Sequence, residues 1–169
     1  MIAATTPPWF LDALRSEATR ALDESESARA ARATVRLEQA KENVKRFFDA
    51  GVLLIAGTDA PYPGVFQGEG IHRELELLVD AGLTPLQAIT VATKNAAQLM
   101  GDGATWGTLA PGQRADLVVV RGRPDRTIGD TRKIELVIQR RRVLDREALV
   151  FDEASDPGFR ATTPVSSSN

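Results

Sequence analysis

The sequence predicts an α/β chain that is followed by a separate small β unit. A long helical pattern over residues 24 to 50 ends at Gly51, and the apolar run Val52 to Ala56 follows at once. A helix that leads directly into a short, continuous apolar run is typical of a parallel α/β sheet, whose strands are buried on both faces. Further helical patterns continue to about residue 104, and strand patterns dominate only after that point.

The N-terminal third is predicted to be helical. Residues 9 to 23 fit a short helix that begins after Pro7-Pro8, a common start signal. Over residues 24 to 50 apolar side chains recur at helical spacing, which predicts one face that packs on a core. That face consists of Leu37, Ala40, Val44, Phe47 and Phe48. Gly51 ends this helix, as a glycine does just past a helix C-terminus.

A loop and two helices follow the predicted strand. Residues 60 to 70 contain two prolines and three glycines and are predicted to form a loop. The next helix is expected from about Ile71 to Ala81, with Ile71, Leu75, Leu78 and Val79 as its apolar stripe. The helix after it starts with Thr84 as N-cap and Pro85 at the first helical position, and Gln87 completes a capping box. Its predicted buried face contains Ile89, Ala92, Ala96 and Leu99.

From Trp106 onwards the pattern is that of β-structure. Leu117 to Val120 reads as a strand, and a second strand is expected over residues 134 to 139, where apolar side chains recur at every second position. Val143-Leu144 is expected to pair back with it. We therefore expect residues 1 to 104 to form the helical part with its strand, residues 105 to 150 to form the small β unit, and residues 151 to 169 to be a disordered tail.

The composition excludes several kinds of site. The chain has no cysteine, which excludes disulfides, thiolate zinc sites and cysteine nucleophiles, and its one histidine, His72, cannot build a multi-histidine metal site. A net charge of −2 argues against nucleic acid or an anionic membrane as a partner. No stretch approaches the roughly 20 apolar residues that cross a bilayer, and the N-terminus lacks a secretory signal, so a cytoplasmic location is expected.

Asp59 is the leading candidate for a catalytic residue. It follows the predicted strand in the sequence Gly57-Thr58-Asp59. In parallel α/β barrels the catalytic groups stand at the C-terminal ends of strands. A carboxylate at that place can bind a metal ion and can accept a proton from a metal-bound water. The alternative is that Asp59 only caps the turn before Ala60-Pro61.

Several residues in or after the loop are candidates for the rim of a pocket, namely Tyr62, Phe66, Gln67, Glu69 and His72. His72 could be a site residue or a metal ligand, although a polar residue at a helix start that hydrogen-bonds to nearby backbone is the commoner situation. Glu69, His72 and Asp59 could converge through the loop. The helix over residues 24 to 50 could bind a partner, although core packing is commoner for such a stripe.

An ordered series of segments resembles the C-terminal part of the amidohydrolase superfamily, in its imidazolonepropionase-like and prolidase-like branch. The resemblance covers roughly residues 35 to 145. Its segments are Phe48-Asp49-Ala50-Gly51-Val52, Ala56-Gly57-Thr58-Asp59-Ala60, the stretch from His72 to Pro85, Ala88-Ile89 with Ala92-Thr93-Lys94-Asn95-Ala96-Ala97, and the stretch from Gly107 to Val119.

The resemblance implies an α/β fold, namely a C-terminal fragment of a (β/α)8 TIM-barrel metallohydrolase with strands of a small β-sandwich. Val52 to Ala56 would be barrel strand eight, and residues 107 to 145 would supply the C-terminal strands of the sandwich. Asp59 would be the strand-eight aspartate, which in that family contacts the metal and acts as general acid and base on the attacking water. His72 matches a position at the start of the following helix and not a metal-ligand position.

The family's other metal ligands have no counterpart in this sequence. The family pattern has a His-x-His pair on strand one, and a bridging lysine and two further histidines on strands four to six, whereas the only histidine here is His72. We therefore expect a hydrolase of carbon–nitrogen (non-peptide) bonds that uses a divalent metal, zinc, in the complete enzyme. Asp59 would be a metal ligand only together with the missing N-terminal ligands, and for this chain alone we expect no bound metal and no turnover.

The partners implied are a small-molecule substrate and an N-terminal amidohydrolase half. Two alternatives to an inactive fragment stay open, namely a non-catalytic helical adaptor and one half of a split hydrolase. One local departure from the family concerns the last hairpin, where Arg140-Arg141 replaces an Asn-Gly-like turn. Because arginine is strained at positive φ, a different turn type is expected there.

Overall fold

The structure is a computed structural model that describes residues 26 to 62 and 65 to 149. Residues 24 to 144 form one compact unit, and a second unit of residues 1 to 23 and 145 to 169 lies almost wholly outside the described residues. Of that second unit, a short 3-10 helix at Glu147–Leu149 is described. The helix predicted over residues 9 to 23 and the tail predicted from residue 151 fall outside the described residues.

Helix α1 spans Glu26–Asp49 and ends before Gly51, which has a φ of 76°. The prediction of this helix and of its end is confirmed. The predicted core face is wrong for most of its length, because Leu37 and Phe47 are 38% and 54% exposed. Only Val44 and Phe48 pack against the core, which α1 reaches with its last turns.

Helix α2 spans Glu69–Asp80, and helix α3 spans Pro85–Thr90. The capping box predicted at the start of α3 is present, since the Gln87 N–H donates to Thr84 Oγ1 at 3.3 Å and the Thr84 N–H donates to Gln87 Oε1 at 2.8 Å. Leu75 and Leu78 of α2 are buried, as their spacing predicts. The structure starts α2 two residues earlier than the sequence indicates, at Glu69 instead of Ile71.

Helix α3 continues through a π-helical turn, Val91–Asn95, into the short helix α4, Ala96–Leu99. A π-turn adds one residue to the helical repeat, so the side chains that follow it are rotated relative to a regular α-helix. The buried residues are Ala88 and Val91, which come before or at the start of this turn, and Ala97, which follows it. The predicted burial of Leu99 is wrong, because its side chain is 58% exposed.

The core of the compact unit lies between α2, α3 and the π-turn. Leu75, Leu78, Leu83, Ala88 and Val91 form its buried centre. Partly buried apolar side chains pack against it, namely Val44 and Phe48 of α1, Leu54 and Ala56 of the segment that follows α1, Val79 of α2, Ala92 of the π-turn, and Ile128. The burial of apolar surface in this cluster is the main source of stability that the described residues show.

The segment Val52 to Ala56 is not the doubly buried strand that the sequence predicts. Leu54 and Ala56 face the core, whereas Leu53 and Ile55 are each 43% exposed. This alternation has the period of a strand. In the described part of the chain, the only sheet is formed by residues 117 to 143, so this segment has no strand beside it to cover its second face.

Strands β1 (Leu117–Val120), β2 (Ile134–Gln139) and β3 (Arg142–Val143) form an antiparallel sheet in the order β1-β2-β3. The two long strands agree with the prediction. The hairpin turn between β2 and β3 differs from it, because Arg140 and Arg141 both have positive φ, 49° and 68°. A two-residue hairpin needs this geometry to match the strand twist, and the Arg140 N–H is held by Asp116 Oδ1 at 2.7 Å.

Candidate functional site

The segment that carries Asp59 is attached to two helices. The side-chain amide of Asn95 donates to the carbonyl oxygen of Leu54 at 2.9 Å. Three residues further on, the N–H of Gly57 donates to the carboxylate of Glu74 on α2. The backbone that leads into Asp59 is therefore fixed from the π-turn on one side and from α2 on the other.

Asp59 itself has a φ of 53°, in the left-handed region that aspartate tolerates better than most residues. Its carbonyl oxygen accepts from the Tyr62 N–H at 2.9 Å, which closes a turn. The residue as a whole is exposed. The backbone of Asp59 thus closes the turn, and the residue is exposed at the end of the segment. Its catalytic role stays a prediction.

Glu74 is a carboxylate on the inner side of α2 that the sequence analysis did not single out. Burial raises its pKa above the ordinary glutamate value, and the hydrogen bond from Gly57 acts in the opposite direction. Its position between Ile71 and Leu78, within the apolar stripe of the helix, was the available signal. A charged residue within such a stripe usually has a specific partner.

His72 faces a 3-10 helix, Ile128–Arg132, and not the metal-ligand arrangement considered for it. Its Nδ1 lies 3.0 Å from Thr131 Oγ1, and that hydroxyl donates to the carbonyl oxygen of Ile128 at 2.8 Å. Because the hydroxyl proton is engaged, we assign the proton between His72 and Thr131 to Nδ1. Burial lowers the pKa of His72, and the nearby Arg132 guanidinium lowers it further.

Glu69 binds the same 3-10 helix. Arg132 donates to Glu69 Oε1 from Nε at 3.0 Å and from Nη2 at 2.6 Å, and it also donates to Glu76 on the next turns of α2. The hydrogen bond from Arg132 holds the pKa of Glu69 below its usual range. The partners of Glu69 and His72 thus lie on the 3-10 helix. Their contacts do not bring these two residues together with Asp59.

The remaining rim candidates lie in the loop after Asp59. Tyr62 is 64% exposed, Gln67 is exposed and Phe66 is half-buried. Residues 63 and 64, between them, are outside the described part of the chain. The rim assignment of these three residues stays a prediction.

The donor set of the described residues does not fit a complete hydrolytic metal site. Across residues 26 to 62 and 65 to 149, no three histidine, aspartate or glutamate side chains are grouped so that they could hold one metal ion. Asp59 can offer one carboxylate, whereas catalytic zinc sites use three protein ligands. The cavity of about 360 Å³ between α1 and α2 offers no substitute, since its lining does not include Asp59.

Solved structures of hydrolases share the fold of this chain. A Xaa-Pro dipeptidase with bound methionine in its active site superposes with a TM-score of 0.57 at 26% identity, over 62% of this chain and 25% of that chain. Molinate hydrolase gives a TM-score of 0.57 at 28% identity, over 64% and 27% of the two chains. A putative prolidase from Bifidobacterium longum gives 0.56 at 33% identity, over 60% and 25%. These likenesses support an α/β fold for this chain.

The sequence profile of the amidohydrolase family matches residues 9 to 153, and the chain belongs to that family. Adenine deaminase 3 of Rhizobium meliloti is 37% identical over 97 residues, which are 56% of this chain and 15% of the relative. Imidazolonepropionase of Geobacillus kaustophilus is 36% identical over 78 residues, which are 46% and 18%. The imidazolonepropionase of Chromobacterium violaceum is 40% identical over 83 residues, which are 48% and 20%.

This chain therefore spans between 15% and 20% of the length of these curated relatives. The family resemblance seen in the sequence is confirmed. None of the described helices is long and apolar enough to cross a membrane.

Proposed function

We propose that this chain supplies the C-terminal part of a hydrolase that acts on carbon–nitrogen bonds, and that Asp59 is its proton-transfer residue. One observation carries the proposal. Asp59 is exposed at the end of a segment whose backbone is held at Leu54 by Asn95 and at Gly57 by Glu74. A catalytic carboxylate needs both features, a fixed backbone and an accessible side chain.

The exposed side of residues 52 to 56 supports a place in a larger sheet. Leu53 and Ile55 present apolar side chains away from the core, and Val52 is 50% exposed. Apolar strands of this kind are stable when helices and neighbouring strands cover them. We therefore assign this segment to the last strand of a (β/α)8 barrel, with the other strands supplied by further amidohydrolase sequence, and we assign β1 to β3 to the small β-sandwich.

The proposed chemistry uses Asp59 twice. In the hydrolysis of a C–N bond, the oxygen of water bonds to the carbon, the C–N bond breaks, and one proton of the water ends on the leaving nitrogen. The Asp59 carboxylate accepts that proton as the C–O bond forms and returns it to the nitrogen as the C–N bond breaks. In the complete enzyme we expect Asp59 to be one of several ligands of a divalent metal, zinc by preference.

The substrate is proposed as a small molecule with a hydrolysable C–N bond. The relatives are named for adenine, imidazolonepropionate and Xaa-Pro dipeptides, which share this feature. Tyr62, Phe66 and Gln67 are proposed as rim residues because they follow Asp59 in the loop.

The test begins with the purified 169-residue chain. We expect it to retain no stoichiometric zinc and to hydrolyse neither adenine, imidazolonepropionate nor an Xaa-Pro dipeptide. Addition of the N-terminal part of the Geobacillus kaustophilus imidazolonepropionase, lacking its matched segment, is expected to restore zinc binding and turnover. Stoichiometric zinc with turnover by the chain alone, lost in Asp59→Ala, would contradict the need for a complementary part.

A second function, that of a non-catalytic adaptor, is favoured by the exposed apolar side chains on α1. Val35 and Phe47 both lie on this helix, and they are 70% and 54% exposed. An adaptor is expected to melt cooperatively by itself and to gain no activity from an N-terminal amidohydrolase part. A chain that aggregates until that part is added would exclude the adaptor.

A further inference from the structure

The 3-10 helix Ile128–Arg132 and the segment that carries Asp59 lie against two different faces of α2. Glu69, His72 and Glu76 are spaced by three and four residues, so they share one helical face, and all three bond to or lie beside residues of the 3-10 helix. Gly70 and Glu74 share the neighbouring face, and both contact the segment before Asp59. Helix α2 is thus the element through which the two regions are connected.

Arg132 grips α2 at two points. Its guanidinium bonds to Glu69 in the first turn and to Glu76 seven residues later, with Nη2 shared between Glu69 Oε1 at 2.6 Å and Glu76 Oε2 at 3.3 Å. The side chains of all three residues are between 28% and 32% exposed, so the network is partly buried. Two contacts that are separated along the axis oppose both sliding and rotation of the helix, and a planar, forked donor suits this arrangement better than a lysine.

Arg132 contacts α2 at the turn that lies next to the residues before Asp59. Glu69 is the first residue of α2, and the N-cap Gly68 provides no side-chain cap. The Arg132–Glu69 bond therefore adds to the backbone hydrogen bond from the Gly70 N–H to the Phe66 carbonyl oxygen, at 2.8 Å, in holding this helix start. At the next residue, Gly70, an added Cβ would lie 3.2 Å from Thr58 Cβ, which shows how closely the first turn of α2 approaches the residue before Asp59. One turn later, Glu74 accepts the Gly57 N–H.

The 3-10 helix is itself firmly attached to the end of β1. Asp130 is 8% exposed, its Oδ2 accepts from the Arg123 N–H at 2.8 Å, and its Oδ1 pairs with Lys133 Nζ at 2.7 Å. Gly122, at a φ of 108°, leaves the space that the Asp130 carboxylate occupies. The backbone of the 3-10 helix that carries Arg132 is therefore held in place by these contacts.

We propose that Arg132 is a positioning residue for Asp59, acting through Glu69, Glu76 and α2 on the backbone of Gly57 and Thr58. It links the sheet region of the chain to the end of the apolar segment, and its importance for turnover rests on the proposed function of Asp59. The positioning effect itself is a property of the folded chain and can be measured without any activity.

The experiment is amide hydrogen exchange on the 169-residue chain, with Ala88, at the buried start of α3, as the internal reference. The three reporters are hydrogen-bonded amides around Asp59, namely Gly57, Ala60, whose N–H donates to Thr58 Oγ1 at 3.4 Å, and Tyr62, whose N–H donates to the Asp59 carbonyl oxygen at 2.9 Å. Arg132→Met keeps an unbranched apolar stem and removes the guanidinium, and with it both bonds. Arg132→Lys keeps the positive charge but replaces the planar guanidinium with a single ammonium group. Arg121→Met is the matched control, since Arg121 pairs with Glu135 at 2.8 Å on the sheet surface and does not reach α2.

We expect Arg132→Met to speed exchange at the three reporters by about tenfold while Ala88 is unchanged, because local opening is set by local contacts. Arg132→Lys is expected to give a smaller increase, and Arg121→Met none. Unchanged reporters in Arg132→Met, or an equal increase at Ala88, would overturn the proposal. If Asp59 has no catalytic role, the exchange result is still expected. Failure of the positioning effect and failure of the proposed function are therefore distinguishable.

Discussion

The Nδ2 atom of Asn95 lies 2.9 Å from the carbonyl oxygen of Leu54 and donates a hydrogen bond to it across 41 residues of sequence. Asn95 is the last residue of the π-helical turn, and Leu54 is in the middle of the apolar segment that ends at Asp59. Leu54 has no neighbouring strand among the described residues, so this side chain takes the place of a sheet partner for its carbonyl group. The π-turn shifts the helix face in the region where this contact is made.

Replacement of Asn95 by alanine is therefore expected to destabilise the chain by about 1–2 kcal/mol, because it leaves a partly buried carbonyl without its donor. The midpoint of urea unfolding, followed by circular dichroism, measures this loss. Lys94→Ala is the matched control, since Lys94 is exposed in the same turn. Equal midpoints for the two variants would show that the Asn95 bond contributes nothing.

Gly122 is expected to resist substitution for two separable reasons. Its φ is 108°, and an added Cβ would overlap the Asp130 carboxylate. Gly122→Ala should cost about 2–4 kcal/mol in the free energy of unfolding, from backbone strain and overpacking together. Gly112→Ala has a similar φ of 87° in open space and should show only the strain, about 1–2 kcal/mol. Gly129→Ala, in open space without a positive φ, should be close to neutral. Similar losses at Gly122 and Gly112 would contradict the steric part.

The lowered pKa of His72 leads us to expect a loss of stability on acidification. Burial lowers its folded-state pKa below the ordinary value of 6.5, so the unfolded chain takes up the proton first as the pH falls. The stabilisation is present above pH 6.5 and is lost as the pH falls through the folded-state pKa. His72→Asn retains a donor for Thr131 and removes the titration. The variant should lose less unfolding free energy than the wild type between pH 7.5 and 5.5 in urea titrations, and parallel pH curves would contradict this.

The raised pKa of Glu74 leads us to expect a pH dependence of stability with the opposite sign. Its folded-state pKa is raised above the ordinary value of 4.5, so the protonated form is favoured by folding, and stability is lost as the pH rises from there through the raised pKa. Glu74→Gln keeps an acceptor for the Gly57 N–H and cannot ionise. We expect it to be more stable than the wild type at pH 7.5 and similar at pH 4. Glu42→Gln on exposed α1 controls for the loss of one charge, and a gain of the same size there would refute the assignment.

Features that depend on neighbouring residues were predictable from the sequence. The capping box of Thr84 and Gln87 and the strand Leu117–Val120 formed as their patterns indicate. In both cases the determining contacts are short-range or follow from an apolar run. The family was also recognisable, because its motifs recur in order along the chain.

Features that depend on distant residues were not predictable. The Arg132–Glu69 pair joins positions 63 residues apart, and no local pattern marks Arg132. The exposure of Leu37 on α1 reflects where the core ends, and not the periodicity of the helix. The positive φ of Arg140 and Arg141 is set by the two-residue hairpin, which overrides the preference of arginine. For the site, Asp59 was identified from its place after an apolar run, whereas its supports Asn95 and Glu74 become visible only in three dimensions.

The role of Asp59 is tested most directly in a chimera in which residues 35 to 145 replace the matching C-terminal part of the Geobacillus kaustophilus imidazolonepropionase. The decisive measurement is kcat for imidazolonepropionate hydrolysis at saturating zinc, with zinc content measured for each variant. We predict that Asp59→Asn lowers kcat by about 10²–10⁴-fold, the usual contribution of a general acid–base residue. Asp80→Asn, an exposed aspartate at the end of α2, is the control and should leave kcat unchanged. An Asp59→Asn chimera that turns over as fast as the Asp80→Asn chimera would contradict the account.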